Sequence, residues 1–209
     1  MPASETRSTY HHGALREELI RACVALIESE GIGAVSLRRV AREAGVSPGA
    51  PYHHFADRAE LLTTITARGF ERLVTEMRAA HESAGTPVEA LGAMIEAYVR
   101  FSREHTAYAR LMYRPELSET TKGHTAATHA QEGMKLVTDT VIAAQREGAA
   151  PAGDPVPLVT MLWSVAVGLA VLSIDGPLAG ASASRGSSVP ELTAQVTALL
   201  QRMLVNADK

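Results

Sequence analysis

Cysteine is almost missing from this chain: Cys23 stands alone, so no intramolecular disulfide can close and a small disulfide-held scaffold is excluded. No amino-terminal stretch joins a basic cluster to an apolar run, and the expected compartment is the cytoplasm. Aromatic residues make up only 4%, and strand-like alternation is hard to find, which leaves little from which to build a sheet. The expected fold is therefore all-α. Positive charge is scarce as well, with a net charge of −3 and a pI near 6.2. That excludes a protein that coats nucleic acid through bulk charge but leaves room for a local basic face.

Membrane-length runs are also short. Leu158 to Ile174 is apolar apart from Thr160, Ser164, Gly168 and Ser173, whereas a span takes about 20 residues with basic and aromatic flanks. This segment is expected to be a helix buried all round, in a core or an interface, and no membrane partner is expected. Catalytic signatures are missing too, since there is no nucleophile elbow, phosphate loop or paired-carboxylate pattern. His11-His12 and His53-His54 are adjacent pairs, and His124 and His129 are five apart. Ligands sharing a metal on one helix face want spacings of three or four. No metal, no cofactor and no enzymatic activity are expected.

What is present is helical periodicity with clear punctuation. The 209 residues suffice for one large domain or two small ones, burying roughly 70% of the unfolded surface. Leu15, Leu19, Cys23, Leu26 and Ile27 share a helical face that stops at Gly31. Ser36 offers a cap for a short second helix carrying Leu37, Val40, Ala41 and Ala44, and Gly45 supplies a left-handed stop. Ser47 followed by Pro48 reads as the cap and first residue of a third helix. Asp57 and Glu60 form a capping box that opens a long fourth helix through Met77.

Beyond it, Thr86, Pro87 and Glu89 launch a helix through Phe101; others are expected around Tyr108 to Tyr113, over 120–147 and after Asp154. Gly176 to Ser188, rich in Gly, Ala and Ser, is expected to be a mobile loop. A last helix, capped by Ser188 and Glu191, carries Leu192, Val196, Leu199, Leu200, Met203 and Leu204. The expected organisation is a flexible arm at 1–13, a first domain at 14–82 and a second at 83–209.

The informative stretch is Ser36-Leu-Arg-Arg-Val-Ala-Arg-Glu-Ala-Gly-Val-Ser-Pro-Gly-Ala-Pro-Tyr-His-His-Phe55. Ala41 is small where two short helices would cross, Gly45 permits the turn, and Val46 can plug the space beneath, which is helix-turn-helix chemistry. In such a unit the second member enters the major groove by its amino end. Arg38, Arg39 and Arg42 project from the second helix. Ser47, Ala50, Tyr52, His53 and His54 decorate the third, and Arg58 opens the fourth. These side chains suit phosphates and base edges. Arginines beside Glu43 could instead merely solvate a helix, and the turn spacing decides against that. Pro51 cannot donate to the carbonyl of Ser47, so the third helix is expected to begin as a distorted or 3₁₀-like turn.

Ser36 to Leu62 resembles the DNA-binding domain of the TetR (tetracycline-repressor) family, and the match covers roughly residues 14–80. The shared signature runs from a capped second helix through Ala-Gly-Val-Ser to Tyr-x-His-Phe and a charged cap. The resemblance implies that Arg38, Ser47, Ala50 and His53 face bases and that Tyr52 and Arg58 hold phosphates. His54 is then part contact and part core, and Arg39 and Pro48 belong to the same surface. Tyr10-His-His-Gly13 and Trp163-Ser-Val-Ala-Val-Gly-Leu-Ala170 resemble a subgroup named for a Trp-His-Gly signature, with Val167 standing where the histidine is expected.

The resemblance further implies a homodimer through the helices at about 157–174 and 190–205, packed as a four-helix bundle across a two-fold axis. It also implies a small-molecule effector in the second domain. Candidate lining residues are Phe70, Val74 and Met77 on the fourth helix and Met94, Tyr98 and Phe101 on the next. Tyr108, Met112, Tyr113, Met134, Val137 and Trp163 complete the inventory. Any one such residue is more often core than pocket, and it is the set that suggests a cavity. Few charges accompany them, so an apolar or aromatic effector is expected, with tyrosine hydroxyls, His105 or Gln131 as polar handles. The function that follows is a repressor that binds a pseudo-palindromic operator in double-stranded DNA and is released by the effector. A helix-turn-helix dimer with no small-molecule switch is the alternative.

Overall fold

The computed structural model describes residues 5–114 and 125–206, with side chains from Gly13 onward except that of Thr125. Among the described residues every regular element is a helix, without strands. Helix α1 (Glu5–Glu30) begins inside the segment expected to be a loose arm and stops where expected, at Gly31 with φ 85°. The side chains of Tyr10, His11 and His12, residue His124, and the residues 120–124 expected to open a helix lie outside the described residues.

Helix α2 (Leu37–Glu43) is capped as its sequence dictates, the Ser36 hydroxyl accepting the Arg39 N–H at 3.1 Å. Its end is a Schellman turn: Gly45 takes φ 67°, the Val46 N–H reaches the Ala41 carbonyl at 2.9 Å, and the Gly45 N–H reaches that of Arg42 at 3.1 Å. No α-helix starts at Pro48. A single 3₁₀ turn over Ala50–His53 follows instead. Helix α3 (Arg58–Glu82) opens on the expected capping box, with Asp57 Oδ1 accepting the Glu60 N–H at 2.9 Å and Glu60 Oε2 accepting the Ala56 N–H at 2.7 Å.

Two cores form around α3. Its first turns give Leu61, Leu62 and Ile65 to a core shared with Leu19, Cys23, Leu26, Ile27 and Phe55. Farther along, Leu73 and Met77 enter a second core. At the centre of that second core lies α4 (Pro87–Glu104), contacted by α3, α6 (Thr125–Arg146), α7 (Pro155–Ile174) and α9 (Val189–Asn206). The helix wrapped on nearly every side is thus α4, whereas α7, expected to be buried all round, buries one flank (Val159, Leu162, Ala166, Leu169, Ala170) and exposes Met161, Trp163 and Leu172 on another. Contact with α4 covers only part of its circumference. By length and composition α7 could cross a membrane.

Two other expectations are corrected. The stretch expected to be a mobile loop contains α8 (Pro177–Ala183), pinned by buried Leu178 and Ser182, and only its flanks are turns. The division at residue 82 does not separate the cores, because α5 (Thr106–Met112) buries Ala107 and Leu111 in the first one. Gly69 permits that docking: a Cβ there would lie 3.2 Å from the Tyr108 Cβ and 3.1 Å from the Met112 sulfur. On α9, Thr193 and Thr197 face inward, Thr197 donating to Glu96 Oε1 at 2.6 Å, while Leu199, Met203 and Val205 are exposed.

Two ties hold the first core's periphery. Arg68 on α3 donates to both carboxylate oxygens of Glu17 on α1, one bond at 2.6 Å. This guanidinium, mainly through those hydrogen bonds, holds the Glu17 carboxyl below its ordinary value near 4.5. A depressed carboxyl stabilises above its unfolded pKa and loses that contribution as pH falls through the folded one. The pair is partly exposed, so Glu17→Gln should lower unfolding free energy by only about 0.5 kcal/mol near neutral pH. The two proteins should converge in acid, a pattern that urea denaturation across pH would check.

Arg58 forms the second tie, its Nε and a terminal nitrogen donating to the carbonyls of Val35 at 2.9 Å and Ile32 at 2.8 Å. Those carbonyls sit at and beyond the 3₁₀ turn Ile32–Ala34, between α1 and α2. Arg58→Ala should cost about 2 kcal/mol, the worth of charge-assisted bonds to half-buried acceptors. The same urea titration would show it.

Candidate DNA-binding surface and ligand cavity

The missing N–H of Pro51 shapes the turn that follows α2. The Ser47 carbonyl instead accepts the Ala50 N–H at 3.0 Å, and Tyr52 N–H reaches Gly49 at 3.2 Å, both three-residue spacings. The cap of this turn is Gly49, with no side-chain cap bond, so Ser47 is not the helix cap expected. Pro51 is buried and Phe55 anchors the exit in the first core. Held from beneath in this way, the turn presents Ser47, Pro48, Tyr52 and His53 outward, with Tyr52 55% exposed, while Ala50 and His54 are half-buried.

Beside the turn, Arg38 and Arg42 are exposed and share a shallow recess with Ser36 and Arg39. Arg39 is not wholly open to a partner, since its guanidinium pairs with Glu30. Arg58, expected to hold a phosphate, turns inward to Ile32 and Val35. Its position at the first turn of α3 gave the resemblance, but the carbonyls of Ile32, at the start of the 3₁₀ turn between α1 and α2, and of Val35, just beyond that turn, claim its donors. The face is therefore built from Arg38, Arg42, Ser47, Pro48, Tyr52 and His53.

In the second half, a cavity of about 200 Å³ lies among α3, α4, α6 and α7. Phe70, Val74 and Met77 line it from α3, Met94 and Tyr98 from α4, and Met134 and Val137 from α6, with Met112 and Trp163 from α5 and α7. Two expected residues are absent from its wall. Phe101 is fully buried in the core beside the His105 ring, 5.0 Å between centroids. Tyr108 packs between the two cores, under the Arg72 guanidinium at 5.6 Å. Neither His105 nor Gln131 lines the cavity.

Residues that sequence reasoning missed explain why space exists there. Ala130 and Gly133 on α6 and Ala166 on α7 are small where their helices face α3 and α4. A Cβ on Gly133 would stand 3.2 Å from Val74 Cγ2. Small residues opposite large ones were the available signal. The polar features of the wall are His129, bonded to Glu132 at 3.3 Å, and the phenols of Tyr98 and Tyr113, 2.9 Å apart. Burial raises both phenols above their ordinary value near 10, and for Tyr98 the neighbouring Tyr113 adds to the shift. Both stay protonated across the physiological range.

Elsewhere chemistry is sparse. Burial pushes the Cys23 thiol up to about 12, leaving it unreactive at neutral pH. Among the described residues no three His, Cys, Asp or Glu side chains converge as metal ligands.

Comparison with known proteins agrees with this architecture at both ends. Residues 19–65 match the family of bacterial regulatory proteins, tetR family, and residues 91–196 match the tetracyclin repressor-like C-terminal domain. The HTH-type transcriptional regulator BetI of Rhizobium meliloti is 33% identical over 85 residues, 41% of this chain and 42% of BetI. The matched part is thus less than half of that relative. A solved structure of a protein of unknown function from Rhodococcus sp. RHA1 superposes with TM-score 0.77 at 30% identity, covering 94% of this chain and 98% of that one. FadR of Bacillus subtilis, described in complex with stearoyl-CoA, superposes with TM-score 0.69 at 14% identity over 92% of this chain and 99% of its own, a likeness of fold. Matched across its head and over half its length in the second domain, the chain belongs to the tetR family of bacterial regulatory proteins.

Proposed function

We propose that this chain is a transcriptional repressor that binds a pseudo-palindromic operator as a homodimer and releases it when a small, largely apolar molecule occupies the cavity among α3, α4, α6 and α7. The observation that carries the reading is the reach of α3. Its first turn stands beside the exposed turn Ala50–His53, and Phe70, Val74 and Met77 form one wall of the cavity. At 25 residues the helix is about 37 Å long. A tilt imposed at the cavity would shift the DNA-contacting face. Linkage then requires operator and effector to weaken each other by the same factor, about 5- to 150-fold in typical cases. FadR, described with stearoyl-CoA bound, lends the fold a precedent for a ligand with an apolar chain.

The dimer reading rests on large apolar side chains left exposed on two helices. Helix α9 buries Thr193 and Thr197, the latter against Glu96 of α4, and leaves Leu199 and Met203 50% and 55% exposed, while α7 exposes Met161, Trp163 and Leu172. Apolar faces of this kind on paired helices suit a two-fold four-helix interface. Replacing Leu199 and Met203 with Glu should give a folded monomer by sedimentation. A dimer that survives both charges would place the interface elsewhere.

Two recognition turns related by a two-fold must meet major grooves about 34 Å apart. Arg38→Ala should weaken operator binding while leaving affinity for random DNA nearly unchanged, as loss of a base contact does. Arg58→Ala, whose role is to hold the head together, should reduce both alike and only as far as it unfolds the head. Fluorescence anisotropy on selected and scrambled duplexes separates the two.

The cavity is tested by filling it. Compounds that raise the melting temperature in a metabolite panel identify effectors, since a ligand of the native state stabilises it. Val74→Trp should abolish that rise and the accompanying operator release while operator affinity survives. A solid core in place of a cavity would answer by overpacking, losing about 1–3 kcal/mol of stability. Early melting with both functions lost would count against the switch.

A further inference from the structure

The wall of the cavity is almost entirely carbon, and among the described residues it contains no Lys, Arg, Asp or Glu. Its one fixed polar feature away from His129 is the pair formed by Tyr98 on α4 and Tyr113 just beyond α5, with hydroxyl oxygens 2.9 Å apart. Two phenols carry two protons, and the bond between them uses one. The other hydroxyl proton remains for an acceptor, and the unshared lone pairs remain for a donor. Ser102, buried one turn after Tyr98, neighbours the Tyr113 hydroxyl, and its own hydroxyl already donates to the Tyr98 carbonyl at 2.8 Å.

Resting on the effector-cavity reading above, we infer that the cavity selects an uncharged molecule with a single hydrogen-bonding oxygen, a carbonyl or hydroxyl, which docks on the Tyr98–Tyr113 pair while its hydrocarbon body lies against Phe70, Met94, Val137 and Trp163. At the tyrosine pair a buried anion would meet two neutral phenols and, among the described lining residues, no Lys or Arg, so its lost hydration goes largely uncompensated. A pure hydrocarbon would strand the unused phenol proton in a dry site. A ketone or alcohol satisfies both requirements. Protonation of both tyrosines, enforced by burial, keeps the pair a donor throughout the physiological range.

Trp163 is the only tryptophan of the chain and lines the cavity, so its fluorescence reports occupancy. Three probes of one shape decide the matter: octan-2-one, 2-methyloct-1-ene, in which a methylene replaces the carbonyl oxygen, and octanoate. Titrated into the full-length protein, octan-2-one should give a saturable change about tenfold tighter than either of the others, the effect of one net hydrogen bond or of one uncompensated charge. In the double variant Tyr98→Phe, Tyr113→Phe, the ketone should fall to the affinity of the alkene, and the alkene should not weaken. Melting temperature confirms that the variant remains folded, as two lost hydroxyls leave the packing in place.

Octanoate binding as tightly as the ketone would overturn the inference, as would equal affinities for ketone and alkene or a double variant that binds the ketone undiminished. Each of those results leaves an occupied cavity and removes only the tyrosine assignment. No saturable response to any of the three probes would remove the cavity reading along with it.

Discussion

The structure depends on α3 being buried in two places at once. Leu61, Leu62 and Ile65 are sealed into one core, and Leu73 and Met77 into another. Between them the helix has no proline, and its one glycine, Gly69, is covered by Tyr108 and Met112. A continuous hydrogen-bonded rod fixed at both ends resists bending, so displacement at one end reappears at the other. The capping box at Asp57 and Glu60 and the inward bonds of Arg58 fasten the end nearer the exposed turn. The cavity occupies the side of the same rod where facing side chains are small.

Local chemistry was legible in the sequence wherever a residue's own backbone preference decides the outcome. Ser36, Gly45, Asp57, Thr86 and Ser188 cap or terminate as their types dictate. Pro51 led from a missing N–H to a 3₁₀ turn, and the structure has that turn at Ala50–His53. Ser47 failed as a cap for the same reason, because the proline that distorts the turn also delays its start. Ten of the twelve residues expected at the cavity line it, while Phe101 and Tyr108 fall just outside. Helical periodicity places a residue on a face, and a face can border a cavity or a core equally well.

Burial was read least well where it depends on neighbours distant in sequence. The run at 158–174 is apolar all round, yet α7 is half uncovered, whereas α4, with acidic and basic residues among its apolar ones, is the central helix. Composition measures what a helix tolerates, and topology determines what it meets. Helix α9 shows this most sharply, since Thr193 and Thr197 face the core while Leu199, Met203 and Val205 face out. Thr197 can sit inside because Glu96 accepts its proton, and Gln201 because the Val88 carbonyl does. An exposed apolar face beside an internal polar stripe has no rationale in a lone chain, and the homodimer we propose supplies one.

Helix α5 limits how freely the parts of such a protein can be exchanged. It lies in the second half of the chain, yet it completes the first core with Ala107 and Leu111, while Met112 borders the cavity. A head cut out at the end of α3 would carry an open apolar notch where α5 had been. A chimera joined at that point would pair a foreign α5 with this notch, and its fit would depend on matching shapes at a seam far from the joint in sequence. Recombination between such proteins is therefore constrained by a seven-residue helix, and the unit that travels intact is the head together with the piece of the second domain that closes it.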